Sequence, residues 1–187
     1  LQPVFRKNDG IGWQMMEAME KDLLIRRASV DDCQLINEMA GKVFPATYSS
    51  ILAQDQVAFM MDWMYSLPSL AKQMNEGHFF YIAYARNGSV PVGYVSIQRQ
   101  EADLFHLHKI YVLPEFQGRQ FGRELFNHAI AEIRCNHPEP CKMELNVNRF
   151  NKAVGFYEIM GMHKSRQGDF PIGKGFYMND YIMSIDL

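Results

Sequence analysis

Residues 117–122, Gln-Gly-Arg-Gln-Phe-Gly, form a glycine-bearing turn between a strand-like run and a helical pattern. The run Lys109–Leu113 ends at Pro114, and apolar residues recur at helical spacing from Phe121 onward. The first turn of a helix carries backbone N–H groups without intrahelical acceptors, and these groups bind anions. The sequence therefore predicts an anion site here, and the alternative interpretation is an ordinary strand-to-helix turn.

Three side chains elsewhere in the sequence could move protons. His106 and His108 lie on the strand that precedes the turn, and Tyr157 lies on a short helix predicted over residues 151–160. An imidazole with the usual pKa of about 6.5 is mostly neutral at pH 7 and can accept a proton. A tyrosine hydroxyl can donate one. Each side chain also has a structural interpretation, the histidines as strand residues and Tyr157 as a core aromatic beside Phe156.

The hydrophobic pattern predicts the elements that position these residues. Alternating or aromatic-rich runs predict strands at 23–27, 78–85, 90–100, 104–112, 142–147, 162–166 and 176–185. Helical spacing predicts helices over 11–21, 29–41, two parts of 50–76, a stretch from 121, and 151–160. Short turns make 78–112 an antiparallel meander. Along the strand 104–112, the two-residue period places His106, His108, Ile110 and Val112 on one face. The predicted class is α/β with a mixed sheet.

Composition excludes several classes of protein. A length of 187 residues with 48% hydrophobic residues suits one domain with a sizeable core. The net charge of −2 gives no basic excess for nucleic acid, and no apolar run is long enough to span a membrane. Three cysteines, an odd and sparse set, predict reduced thiols and a cytoplasmic protein. The spacing of Cys135, His137 and Cys141 fits no zinc pattern, so no metal is expected.

Residues 1–20 differ from the rest and are expected to be an N-terminal extension. The chain begins with leucine, and methionines cluster at positions 15, 16 and 19. One hypothesis is that the natural start is Met19, and another is that translation begins at an unusual codon.

The stretch 104–161 and the order of elements resemble the GCN5-related N-acetyltransferases, the GNAT superfamily. Their signature is Gln/Arg-x-x-Gly-x-Gly/Ala between a strand and a helix; Gln117 and Gly122 match it, whereas Gln120 occupies the middle glycine position. A second motif runs from Leu145 to Gly161. The resemblance covers 21–187 and implies a single GNAT domain. It implies a mixed, mostly antiparallel sheet of six to seven strands with a splayed central pair, flanked by about four helices.

The resemblance implies that the anion is the pyrophosphate of acetyl-coenzyme A. Its pantetheine arm would pair with the backbone of the strand before the turn, as an added β-strand. The implied cofactor-binding residues are Ile110, Tyr111, Val112, Gln117, Gly118, Arg119, Gln120, Phe121, Gly122, Arg123, Asn151 and Phe156. Arg119 and Arg123 could instead be solvated cations, and Asn151 could be only an N-cap. A glutamine at position 120 costs little conformational free energy if its φ is negative, whereas its backbone is strained if φ is positive.

Amide formation needs one group that accepts a proton from the amine and one that donates to the leaving thiolate. The resemblance implies that Tyr157 is the acid. Many family members carry a glutamate four residues before the pantetheine-binding run, and that position here is His106. His106 is therefore the predicted base, acting directly or through a water molecule.

The resemblance implies an acetyl-CoA-dependent N-acetyltransferase acting on a primary amine of a small molecule. The tail PIGKGFYMNDYIM loosely resembles bacterial polyamine (spermidine or spermine) acetyltransferases. The pocket is expected to draw on Phe44–Tyr48 and on a loop from Asp169 to Asp180. The alternatives are acetylation of a protein or peptide amine and a non-catalytic acyl-CoA sensor. A homodimer is compatible with the methionine-rich surface. No G-x-G-x-x-G or P-loop motif is present, so dinucleotide-binding and P-loop folds are excluded.

Overall fold

The computed structural model describes residues 23–85 and 88–187, which form a seven-stranded mixed sheet. The helix predicted over 11–21 and the boundary near residue 20 lie outside these residues. The sheet order is β1-β2-β3-β4-β5-β7-β6. The strands are β1 (Leu24–Arg27), β2 (Phe79–Ala85), β3 (Val90–Glu101), β4 (Leu104–Val112), β5 (Lys142–Asn148), β6 (His163–Gly173) and β7 (Phe176–Asp186). All seven predicted strands are confirmed, and only β4 and β5 pair in parallel.

The described residues form five α-helices, the number that the hydrophobic pattern predicts for this range, where the resemblance implied about four. They are α1 (Cys33–Tyr48), α2 (Gln54–Tyr65), α3 (Leu67–Asn75), α4 (Phe121–Asn136) and α5 (Ala153–Ile159). The prediction that the first helix stops near Gly41 is wrong, because α1 continues through Pro45 to Tyr48. The buried stripe continues past Gly41 with Val43, Phe44 and Tyr48. Burial of this stripe outweighs the helix penalty of about 1 kcal/mol for glycine.

The region Asp169–Asp180, expected to be a loop, is a β-hairpin. β6 extends to Gly173 and pairs with β7 along most of its length. Only Lys174 and Gly175 connect the two strands, and both have positive φ (50° and 79°). A two-residue connection of this kind matches the right-handed twist of the paired strands. Asp169 and Asp180, which were expected to lie on a loop, are therefore fixed in position by strand pairing.

Two helical layers cover opposite faces of the sheet. α4 packs on β3 and β4, and its core residues Leu125 and Phe126 join Met143 and Leu145 of β5 in one hydrophobic cluster. A second cluster joins the buried residues of α1, α2 and α3 to the other face of β2 and β3. The described residues thus form two cores that are separated by the sheet.

The central strand pair is splayed, as the resemblance implied. β4 and β5 pair only at Leu104–Lys142, Phe105–Met143 and His106–Glu144. Beyond these pairs β4 has no partner strand on this side within residues 23–85 and 88–187. A gap therefore opens between β4 and β5 at the level of residues 107–112.

A β-bulge in β4 changes which side chains face α4. The register with β3 shifts so that Ser96 pairs with Lys109 and Ile97 pairs with Leu107, which leaves His108 as the extra residue. The prediction that His106 and His108 share a face with Ile110 and Val112 is wrong for this reason, because a bulge interrupts the two-residue period. The two histidines share a face with Lys109 instead, whereas Ile110 and Val112 pack on the α4 side.

Candidate active site

Alternating backbone N–H groups of β4 point into the gap. The N–H of Leu113 donates to the carbonyl of Val92 on β3 at 2.8 Å. Because hydrogen-bonding directions alternate along a strand, the N–H groups of Val112 and Ile110 point away from β3, toward β5. Tyr111 pairs with Tyr94 on β3, so its backbone faces the sheet and only its ring is available to the site.

The turn before α4 presents an uncapped helix N-terminus. Gln120, the N-cap residue, makes no side-chain capping hydrogen bond and has φ 66° and ψ 1°. Gly118 also has positive φ, 79°, and a methyl group built on it would meet no atom within 4 Å. The left-handed conformation costs a non-glycine residue about 1–2 kcal/mol. Of the two alternatives for Gln120, the strained one is therefore present, and the first-turn N–H groups are left for an anion.

The turn, the end of β4 and the start of α5 converge on one place. A methyl group on Gly122 would lie 3.7 Å from the Phe156 ring and 3.9 Å from Cγ2 of Val112. The Gln117 amide donates to the Val112 carbonyl at 3.0 Å and fixes the turn against β4. The Phe121 ring is buried in the core, so this residue can contribute its backbone only.

Three polar residues that were predicted to bind the cofactor differ in their surroundings: two are exposed arginines, and the third is a helix-capping asparagine. Arg119 and Arg123 are exposed, and the Arg119 guanidinium lies 5.5 Å from the centre of the Phe116 ring. The Asn151 side chain accepts a hydrogen bond from the Ala153 N–H at 2.9 Å, so it caps the start of α5. The capping interpretation of Asn151 is thus correct, and its amide group is directed toward Tyr48 as well.

Tyr157 lies in a cluster of buried tyrosines. Burial raises the pKa of Tyr157, and the nearby Tyr48 raises it further, so its hydroxyl stays protonated at neutral pH. Tyr48, the last residue of α1, is also buried; burial raises its pKa, and the side chains of Tyr111 and Asn151 oppose part of that rise. The ring centroids of Tyr157 and Phe156 lie 5.4 Å apart, and Tyr157 also acts on Tyr111 of β4.

His106 lies among different neighbours. Its ring centroid is 4.5 Å from that of His108, which in turn is 4.2 Å from that of His78. Burial, and then the charges of Lys109 and Arg166, lower the pKa of His106 to about 4. The structure thus places the two predicted catalytic side chains in separate clusters, Tyr157 with tyrosines and His106 in a histidine stack at the point where β4 and β5 separate.

The strands beyond the gap carry polar groups that the sequence reasoning did not assign to catalysis. Glu144 of β5 is 6% exposed, pairs across the sheet with His106, and accepts a hydrogen bond from Arg166 at 2.9 Å. Asp180 of β7 is 4% exposed and accepts from Asn146 at 3.3 Å. The sequence contained one indication of the position of Glu144. Apolar residues alternate at Met143, Leu145 and Val147, which places Glu144 on the opposite face of β5.

Residues 50–181 match the family model described as an acetyltransferase (GNAT) domain. The chain belongs to the GNAT acetyltransferases. It is therefore an N-acetyltransferase that uses acetyl-CoA, and members of this family act on small-molecule or peptide amines. The uncapped helix start and the gap beside β4 fit this co-substrate.

Solved structures share the fold at low sequence identity. PaiA N-acetyltransferase from Thermoplasma acidophilum, in complex with coenzyme A, is 22% identical over 89% of this chain and 99% of its own, with a TM-score of 0.67. The ribosomal-protein-S18-alanine N-acetyltransferase from Escherichia coli is 17% identical (88% and 93% covered, TM-score 0.65). Spermidine/spermine N-acetyltransferase SpeG from Vibrio cholerae, in complex with manganese ions, is 19% identical (90% and 94% covered, TM-score 0.63).

Two features are absent from the part of the chain that the structure describes. None of the helices there is long and apolar enough to cross a membrane. No group of three or more histidine, cysteine, aspartate or glutamate side chains in 23–85 and 88–187 is arranged to hold a metal ion. Cys33, Cys135 and Cys141 are free thiols.

Proposed function

We propose that this GNAT enzyme acetylates a primary amine of a small molecule, with polyamines as the first class to test, by direct attack of the amine on the thioester. The observation that carries the proposal is the buried, protonated hydroxyl of Tyr157 on α5, the helix whose Phe156 lies against Gly122 of the turn. Acetyl-CoA supplies the activated acetyl group. The remaining tasks, which are binding, orientation and proton transfer, fall to the side chains and backbone groups of this chain.

The proposed cofactor contacts divide into three groups. The N–H groups of Ile110 and Val112 receive the pantetheine arm, in the manner of an added strand. The N–H groups from Gly118 to Gly122 hold the pyrophosphate, aided by the helix dipole, which contributes about 0.3–1 kcal/mol per nearby charge at exposed sites. Arg119, Arg123, Asn151 and Phe156 complete the proposed set, with Gln117 fixing the turn.

Tyr157 is the proposed acid, and its O–H donates to the sulfur that leaves. Its raised pKa suits this role, because the hydroxyl carries its proton throughout the neutral range. Removal of such a donor typically lowers the rate by about 10²–10⁴-fold.

His106 is the proposed base, directly or through a water molecule. Its pKa of about 4 leaves it neutral and able to accept a proton at pH 7, although a catalytic base is most effective with a pKa near the working pH. The His106→Ala variant should therefore change the pH–rate profile. An unchanged profile would show that the base is another group.

The acceptor side favours a cationic small molecule. Glu144 and Asp180 are buried carboxylates on β5 and β7, and Asp169 and the exposed Tyr177 lie on the β6–β7 hairpin. Carboxylates and aromatic rings are the groups that bind ammonium ions. The likeness to the spermidine/spermine enzyme of V. cholerae also supports a polyamine as the acceptor. The likeness to the S18-alanine enzyme supports the alternative, a peptide amine.

The test is coenzyme A release from acetyl-CoA with a panel of acceptors. The panel contains spermidine, spermine, putrescine, amino acids, peptides with free N-termini and aminoglycosides. We expect the highest kcat/KM with the polyamines. Preferred turnover of peptides would support the peptide-amine alternative. Clear acetyl-CoA binding without turnover of any amine would contradict the proposal and support the sensor alternative.

A further inference from the structure

Asp180 has a buried carboxylate oxygen without a hydrogen-bond donor. Its side chain is 4% exposed, and its Oδ2 accepts from the Asn146 amide at 3.3 Å. Its Oδ1 is fully buried and has no partner among the described residues. A buried carboxylate oxygen that is left unpaired lowers stability, so its presence needs a reason beyond the fold.

The cation that acts on Asp180 is already engaged by another carboxylate. Arg149, in the turn after β5, is the positive charge that acts on Asp180. However, the Arg149 guanidinium donates to the carboxylate of Asp169 on the neighbouring strand. Opposite Asp180 on β6 lies Gly168, which has no side chain to offer. The charge of Asp180 is therefore only partly balanced by its own surroundings.

Asp180 is linked to the catalytic tyrosine through one side chain. Its charge acts on Tyr48, at the end of α1. Tyr48 in turn acts on Tyr157 and interacts with Tyr111 and Asn151. The charged and titratable groups that face Asp180 are thus Tyr48 from α1 and Arg149 after β5. An acceptor nitrogen held by Asp180 would lie next to the cluster that contains the proposed acid.

We infer that the Asp180 carboxylate is the anchor for the ammonium group of the acceptor, with its unpaired Oδ1 receiving an N–H donor of the substrate. This inference rests on the proposed function, because it requires a cationic amine as acceptor. Asp180 is assigned to substrate binding and specificity. Asp180 is not assigned as the base that removes the proton from the attacking amine.

Asp180→Asn tests the inference, because it keeps the shape of the side chain and removes the charge. With spermidine as the probe, we expect the KM for the amine to rise at least about 30-fold, with a smaller change in kcat and an unchanged KM for acetyl-CoA. Burial raises the pKa of Asp180, so the ionised carboxylate destabilises the fold at neutral pH. The variant should therefore have an equal or higher Tm, whereas a purely structural role predicts a lower one.

Two further measurements make the test specific. In the wild type, the KM for spermidine should rise as the pH falls and Asp180 takes up a proton, and this rise should be absent in the variant. Asp186→Asn, which removes an exposed carboxylate from the same strand, is the matched control and should leave the KM unchanged.

The outcomes separate this inference from the proposed function. If the wild type acetylates spermidine and Asp180→Asn keeps the same KM, the inference is wrong and the proposed function stands. If the wild type acetylates none of the amines in the panel, the proposed function fails and the inference fails with it.

Discussion

The two sides of the gap between β4 and β5 are built from different parts of the chain. The proposed cofactor side consists of Ile110 and Val112, the turn 117–122 and the start of α4, all within a short segment. The proposed acceptor side includes Tyr48 from α1 and Asp180 from β7, and Glu144 lies farther along β5, opposite His106. One side offers mainly backbone N–H groups, and the other offers side chains from distant elements.

Because of this difference, the two sides restrict the amino-acid sequence in different ways. Backbone N–H groups can come from any residue type, so the cofactor side constrains only conformation, through glycine or a tolerated left-handed residue. Side-chain recognition requires particular residue types at positions that only the folded sheet brings together. The cofactor side can therefore be the same for many enzymes, whereas the acceptor side determines the amine that is used.

On the proposed cofactor side, the largest effect is expected from Val112→Pro. Proline removes the N–H that points into the gap and leaves the β3 ladder intact, because that N–H does not bond to β3. The KM for acetyl-CoA should rise at least about tenfold, as a backbone hydrogen bond is lost and the ring narrows the gap. Steady-state kinetics with varied acetyl-CoA measure this effect.

Val112→Ala is the control for that experiment, because it trims the side chain and keeps the N–H. It should change the KM for acetyl-CoA much less than the proline variant does. Equal effects of the two variants would mean that the side chain, and not the backbone, contacts the cofactor.

The second prediction concerns the histidine stack beside the acceptor side. Burial is the main cause that lowers the pKa values of His78 and His106 to about 4. Because these rings bind protons more readily when unfolded, at a pKa of about 6.5, the free energy of unfolding should fall as the pH drops from 6.5 toward 4. The expected loss is on the order of 1–3 kcal/mol for His106.

Urea titrations at pH 7 and pH 5 measure this loss, and His106→Gln should reduce it. His163→Gln, which changes an exposed histidine outside the stack, should leave the difference between the two pH values as in the wild type. An identical pH dependence in all three proteins would contradict the account of the stack.

The smallest effect is expected from Gln120→Gly. Glycine adopts φ 66° without a Cβ penalty, so the free energy of unfolding should increase by about 1 kcal/mol while the KM for acetyl-CoA changes little. Gly118→Ala is the opposite change at a neighbouring position of positive φ and should be destabilising. Chemical denaturation measures the free energy of unfolding of both variants. A lower free energy of unfolding in Gln120→Gly would show that the glutamine side chain stabilises the turn.

Local patterns predicted much of the fold, including the elements on the proposed cofactor side. The seven strands, the turn 117–122 and the helix that follows it were all predictable, because each depends on neighbouring residues. The extension of α1 through Gly41 and Pro45 was not predicted, since burial against the sheet decides it. The reversal of the faces of His106 and His108 was also missed, because the bulge depends on pairing with β3.

The pocket was expected to draw on Phe44–Tyr48 and on Asp169–Asp180, but local patterns could not show which of these residues meet. Asp180 and Tyr48 become neighbours only when β7 joins the sheet beside β5 and α1 packs near it. The missing donor at Asp180 Oδ1 is a property of the packed interior, which no spacing of residue types records.

The central claim is that the Tyr157 hydroxyl donates a proton to the leaving thiolate at the junction of β4 and α5. The most direct test compares Tyr157→Phe with Tyr81→Phe, a control that removes another tyrosine hydroxyl, one bonded to Glu132 at 2.9 Å. With the best amine of the panel, Tyr157→Phe should lower kcat by about 10²-fold or more and leave the Kd for acetyl-CoA unchanged. Tyr81→Phe should retain near wild-type kcat. A Tyr157→Phe enzyme with wild-type kcat would contradict the claim.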